Sequence, residues 1–252
     1  VIPPTIRAFL AGNSGSGKSR RAWELYLAKF PRRLLVDMTG EWESQADHVA
    51  LSVADAVAGI RALAYRGRWT VTVALDPGEL AQLVDWLLPV PNLRRSPVLA
   101  MRGAALLVDE VDLLAAPGTA SEPVRTLFRR SRHVGLSVIA TTQRPANVSR
   151  EVSAQSTHAL ALDLGEPRDV DYMTELMRWD REDVNRWRSW CRQHPHGAVW
   201  RHLQTGRMLL LPDAGAPVAW PARHPPALGG ASPSAPAASE LEELEEEAEE
   251  ET

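Results

Sequence analysis

Short, continuously apolar runs alternate with stretches of helical periodicity along most of the chain. Ile6–Ala11, Leu34–Asp37, Trp69–Leu75, Ala104–Val108, Leu136–Thr142 and His158–Leu164 have the length and composition of buried strands. Between them, Lys18–Lys29, Ala54–Tyr65, Pro77–Leu88 and Ser121–Arg132 read as helices, the third with a proline in its first turn, where a missing N–H costs nothing. Pro167–Met177 and Arg181–Arg192 come after the last of these strands as two further helices. Strands that are apolar throughout, alternating with helices, predict a mainly parallel α/β sheet covered on both faces. Ala198–His202 and Arg207–Leu211, separated by Leu203-Gln204-Thr205-Gly206, predict a closing β-hairpin.

The pattern then breaks. Residues 212–239 are rich in proline, alanine, glycine and serine, which is linker composition. Residues 240–252 hold nine glutamates and only Leu241 and Leu244 as large apolar residues, so a disordered acidic tail is expected there. The folded unit is therefore expected to span residues 1–211.

Composition refines this picture modestly. With 44% apolar residues, a chain of 252 residues can bury one substantial core. Its formal charge of −4 conceals an asymmetry, because residues 1–239 carry about +5 once the tail is set aside. Lys18 and Lys29 are the only lysines, and arginine supplies the rest of the positive charge. A mildly basic body is compatible with a nucleic-acid partner without requiring one. The single cysteine, Cys191, leaves no internal disulfide. No apolar run approaches the roughly 20 residues of a membrane helix, and the N-terminus lacks the features of a signal peptide. A soluble, intracellular protein is the expectation.

The candidate chemistry begins at Gly12-Asn13-Ser14-Gly15-Ser16-Gly17-Lys18-Ser19. This G-x-x-x-x-G-K-S pattern lies between a predicted strand and a predicted helix, as a phosphate-cradling P-loop requires. Glycines let the backbone N–H groups turn inward, and the positive end of the following helix adds to their field. Lys18 is expected to reach the β- and γ-phosphates of ATP and Ser19 to ligate Mg²⁺. The apolar run Ala104–Val108 ends in Asp109-Glu110. Either these acids complement the start of a helix, or Asp109 holds the metal and Glu110 polarises an attacking water. Gln143, at the end of the next predicted strand, is placed to sense the γ-phosphate or the lytic water.

Together these residues resemble the FtsK–HerA superfamily of DNA-pumping P-loop ATPases. Arg132-His133-Val134-Gly135-Leu136-Ser137-Val138-Ile139-Ala140-Thr141-Thr142-Gln143-Arg144-Pro145 is similar to the family's arginine, glycine, strand and T-Q-R-P segment. Asp37-Met38-Thr39-Gly40-Glu41-Trp42 is similar to its turn after the second strand, and the late hairpin to its closing strands. The resemblance covers about residues 5–211 and implies an ATP-hydrolysing motor acting on double-stranded DNA. It also implies a homo-oligomeric ring, usually a hexamer, with active sites between subunits and an arginine finger. Arg132 matches the finger position, with Arg129 and Arg130 near enough to take that role or to contact DNA. Alternatively, Arg125, Arg129, Arg130 and Arg132 form the solvated face of a helix.

Lacking a HerA-type barrel or an FtsK-type winged helix, the chain most resembles the packaging ATPases of tailless double-stranded DNA viruses. That implies host cytoplasm, virion association, and capsid or membrane-vertex proteins as partners. A cellular or plasmid-borne DNA-transfer ATPase, a P-loop kinase and a non-hydrolytic nucleotide-switch scaffold are the alternatives. Leu93–Ser96 and Arg144–Arg150 are either pore loops or solvated turns. Trp179, Trp187 and Trp190 are expected in the core or at a subunit interface. The acidic tail is a solubilising segment, a competitor of DNA for basic pore residues, or a segment that docks on a basic partner such as a capsid protein.

Overall fold

Ten strands form one sheet in the order β10-β9-β8-β7-β1-β6-β5-β2-β4-β3. The computed structural model describes residues 5–88, 101–116 and 122–221. Leu93–Ser96, most of the expected linker and the acidic tail lie outside the described residues. Along the chain the strands are β1 (Arg7–Ala11), β2 (Arg32–Val36), β3 (His48–Ala50), β4 (Trp69–Val73), β5 (Ala105–Val108), β6 (Ser137–Thr142), β7 (His158–Ala161), β8 (Ala198–His202), β9 (Met208–Leu211) and β10 (Val218–Ala219). The helices are α1 (Lys18–Leu25), α2 (Val53–Leu63), α3 (Pro77–Leu87), α4 (Glu122–Arg130), α5 (Arg150–Ala154), α6 (Pro167–Leu176) and α7 (Arg181–Gln193). Strands β1 to β7 pair in parallel, and β8, β9 and β10 add antiparallel pairs at one end.

Alternation along each strand divides the core into two layers. Phe9 and Ala11 of β1, Leu106 and Val108 of β5, and Val138 and Ala140 of β6 face the layer that packs on α2 to α7. Ala8 and Leu10, Ala105 and Leu107, and Ile139 face the opposite layer, which is covered by Ala22 of α1, by Tyr26, Leu27 and Phe30 of the chain after it, and by Trp42 of the turn after β2. Local sequence sets the helix starts. Ser52 caps α2 by accepting from Asp55 N, and Asp76–Glu79 and Asp180–Asp183 close capping boxes on α3 and α7. Trp179 and Trp187 are buried in the core, and Trp190 packs against it.

The expected mainly parallel sheet and closing hairpin are both present. Four differences carry information. The first helix ends at Leu25 and continues as a 3-10 turn, Leu27–Lys29, because Tyr26 leaves helical geometry. Strand β3 is an edge strand of three residues, and α5 is a helix of five within the segment after Arg144; both are too short to show a period. The stretch of linker composition opens with ordered chain. Val218 and Ala219 pair with Leu210 and Leu209, and Trp220 stacks on Trp179 with centroids 5.8 Å apart.

Candidate functional site

The P-loop runs from the C-terminal end of β1 to the first turn of α1. Its path is held by the ends of the two strands flanking β1: Gly12 N donates to Thr142 O (3.2 Å) and Asn13 N to Asp163 O (2.8 Å). Gly17 has φ +91°, a left-handed conformation that costs a side chain energy, and it turns the chain into the helix. A Cβ at Gly12 would lie 2.5 Å from Ser16 Oγ and 2.7 Å from Leu162 Cβ, so the loop closes on itself without room for a methyl group. Helix α1 is anchored from behind. The Arg21 guanidinium, itself buried, donates to His196 O and to Pro212 O.

Lys18 is 7% exposed and its Nζ donates to Asn13 O at 3.2 Å. Burial pushes its ammonium pKa down, opposed by the carboxylates of Glu110, Asp109, Glu41 and Asp112. Asp109, at the end of β5, is 2% exposed and accepts from the Thr141 hydroxyl. Burial pushes its carboxyl pKa up, only partly offset by that hydrogen bond. Both groups thus carry a desolvation cost that a phosphate chain and a cation would relieve.

The strand order brings the rest together. Because β6 lies between β1 and β5, the chain leaving β6 enters the site between the P-loop and Asp109. Gln143 Nε2 donates to Glu110 Oε1 at 2.6 Å and Gln143 N to Glu110 Oε2 at 3.3 Å. Glu110 itself has φ +47°, an uncommon left-handed conformation for a residue with a side chain. Thr142 Oγ1 donates to Asp112 Oδ1 at 2.6 Å, bracing the turn after Glu110. A further carboxylate, Glu41, accepts from Ser19 Oγ at 2.7 Å. Nothing in the spacing of Glu41 and Ser19 signals this contact, which depends on β2 reaching the same sheet edge as β1.

The arginines divide differently. Arg125 and Arg129 pair with Glu151 of α5, so they tie two helices together. Arg132 is exposed, in the 3-10 turn Ser131–Val134 ahead of β6. It therefore sits at the sheet edge opposite Lys18, roughly 20 Å away for a six-residue strand. There it lines a recess of about 560 Å³ with Arg7, Arg150 and Arg178. Arg144 pairs with Asp169 at 3.1 Å and Arg150 with Glu175, which fastens both to α6.

A nucleotide triphosphate fits this arrangement: Ser16 Oγ is buried without a hydrogen-bond partner, and α1 starts on the loop. Among the described residues no three His, Cys, Asp or Glu side chains close on one cation position. That suits magnesium, which is commonly held by one or two protein oxygens, phosphates and water. No helix of the described residues is long and apolar enough to cross a membrane.

No protein-family model matches the chain, and no curated protein does. Solved structures do. The genome packaging NTPase B204 from Sulfolobus turreted icosahedral virus 2, in complex with AMPPCP, superposes with a TM-score of 0.65 at 15% identity, covering 84% of this chain and 100% of that one. The same protein in complex with ATP-gammaS gives 0.63 at 16% identity, covering 84% and 99%. VirB4 of Thermoanaerobacter pseudethanolicus gives 0.50 at 13% identity, covering 83% and 89%. At these identities the likeness is one of fold: the chain has an α/β P-loop NTPase fold.

Proposed function

We propose that the chain is an ATP-hydrolysing translocase of double-stranded DNA, acting in viral genome packaging as a homo-oligomeric ring. One observation carries the hydrolytic part. The Glu110 carboxylate, next to Asp109 at the end of β5, is gripped by Gln143 at the end of the strand between β5 and the P-loop strand. That combination supplies a base and a γ-phosphate sensor in contact with each other, which suits attack by water. The packaging part is supported by the fold shared with B204, a genome packaging NTPase, and by the basic balance of residues 1–239.

In this reading Gly12 to Ser19 hold the triphosphate, with Lys18 reaching its β- and γ-phosphates. Ser19 and Asp109 hold magnesium, which when bound neutralises charge on the phosphoryl oxygens. Glu110 accepts the proton of the attacking water, and Gln143 links that base to the γ-phosphate. Arg132, on the far edge of the sheet, acts on the nucleotide of a neighbouring copy. DNA is gripped through its phosphates without sequence preference.

The test is ATP turnover with and without double-stranded DNA. The wild-type protein should be DNA-stimulated. Lys18→Ala should lose nucleotide binding, and Glu110→Gln should bind ATP while turning over about 10²–10⁴-fold more slowly. ATP turnover indifferent to DNA would remove the translocase reading, and phosphate transfer to a small molecule would point to a kinase.

A further inference from the structure

The turn Asp37–Trp42 is pinned at both ends although Thr39, Gly40 and Glu41 between them are exposed. Asp37, 3% exposed, accepts from Gly40 N (2.9 Å), Thr39 N (3.2 Å) and Trp42 N (2.8 Å). Gly40 supplies the positive φ of +77° that the turn needs. Trp42 is 2% exposed and stacks on Trp23 of α1, with ring centroids 6.1 Å apart. Glu41 is thus pinned on both sides, by a turn bonded to Asp37 and by an aromatic ring packed on the P-loop helix. Its carboxylate is delivered to Ser19 Oγ at 2.7 Å.

A serine hydroxyl has one hydrogen and two lone pairs. When that hydrogen goes to Glu41, the lone pairs are left for a cation. Outer hydrogen bonds of this kind orient metal ligands, and their loss typically weakens metal affinity about 10–100-fold. We infer that Glu41 is a positioning residue of the cation site: it accepts the hydrogen bond of the Ser19 hydroxyl and so fixes that hydroxyl as a ligand of nucleotide-bound magnesium. The inference rests on the proposed reading of Gly12–Ser19 as a nucleotide site. A merely structural role is the competing account, because α1 has no acidic residue in its own first turn and Glu41 lies near its start.

Magnesium titrations of a fluorescent, non-hydrolysable ATP analogue separate the two, with binding in EDTA and thermal melting measured alongside. Glu41→Ala should raise the magnesium concentration for half-saturation about tenfold or more, while analogue binding in EDTA stays as in wild type. Glu41→Gln keeps an acceptor for the Ser19 hydroxyl and should recover most of the loss. Glu43→Ala, on the same loop, should not move the magnesium midpoint. A Glu41→Ala protein with an unchanged magnesium midpoint, whatever its melting temperature, would overturn the inference. So would an equal loss of binding in EDTA, which would mean that the loop had collapsed. A wild-type protein that binds the analogue in neither condition would overturn the nucleotide reading together with it.

Discussion

At the scale of single residues, the P-loop is defined as much by excluded volume as by charge. A methyl group at Gly12 would meet Ser16 Oγ at 2.5 Å and Leu162 Cβ at 2.7 Å. Gly12→Ala is therefore expected to displace the loop, at a cost of about 1–3 kcal/mol in overpacking, and to abolish nucleotide binding with most of the fold intact. Isothermal titration with ATP and a urea melt check the two halves of that statement; normal ATP affinity in a folded variant would count against it. The loop residues Gly12–Ser19 could be picked out from sequence because the pattern is contiguous and its chemistry local. Asp109 and Glu110 could be picked out because an apolar run ends on them. The bond from Gln143 to Glu110 and that from Ser19 to Glu41 join residues 33 and 22 positions apart. Both depend on which strands are neighbours, information that lies in no local stretch.

At the scale of elements, the long strands and helices were readable because burial imposes a period on them, whereas β3, α5 and β10 are too short to show one. Strand β10 is held in place by the tryptophan at its C-terminal end. Trp220 stacks on Trp179 and donates Nε1 to Asp183 of α7. Trp220→Ala is expected to cost about 1–2 kcal/mol, in line with a stacked, partly buried aromatic pair, and to loosen residues 212–221, as urea unfolding and limited proteolysis would register. Strand β7, on which the hairpin pairs, offers a second test at this scale. His158 of β7 lies against Tyr26, Trp200 of β8 and His202, at centroid distances of 5.8, 5.2 and 5.1 Å. Burial, with His202 and Lys29 nearby, pushes its pKa down from 6.5 to about 3. Below pH 6.5 the unfolded chain binds a proton that the folded chain refuses, so stability falls as the pH drops through that range. The slope is at most about 1.4 kcal/mol per pH unit. His158→Phe, which cannot take the proton, should lose less melting temperature between pH 7 and pH 5 than the wild type does.

At the scale of the whole molecule, the seven parallel strands all point one way. The P-loop, Asp109, Glu110 and Gln143 gather at their C-terminal ends, while Arg132 and Arg7 lie at the other edge. Under the proposed function, neither Lys18→Ala nor Arg132→Ala should hydrolyse ATP alone, the latter losing about 10³–10⁵-fold in rate while still binding nucleotide. An equal mixture should regain activity, because the arginine of a Lys18→Ala copy can serve the intact P-loop of an Arg132→Ala copy. A mixture as inactive as its components would remove Arg132 from the trans role. The one-way run of strands has a consequence for symmetry. A pair in which like edges meet would set P-loop against P-loop and leave each Arg132 facing away from both nucleotides. Contacts that join unlike edges bring the two halves of the chemistry together, and where they repeat head to tail they either close into a ring or continue as a filament.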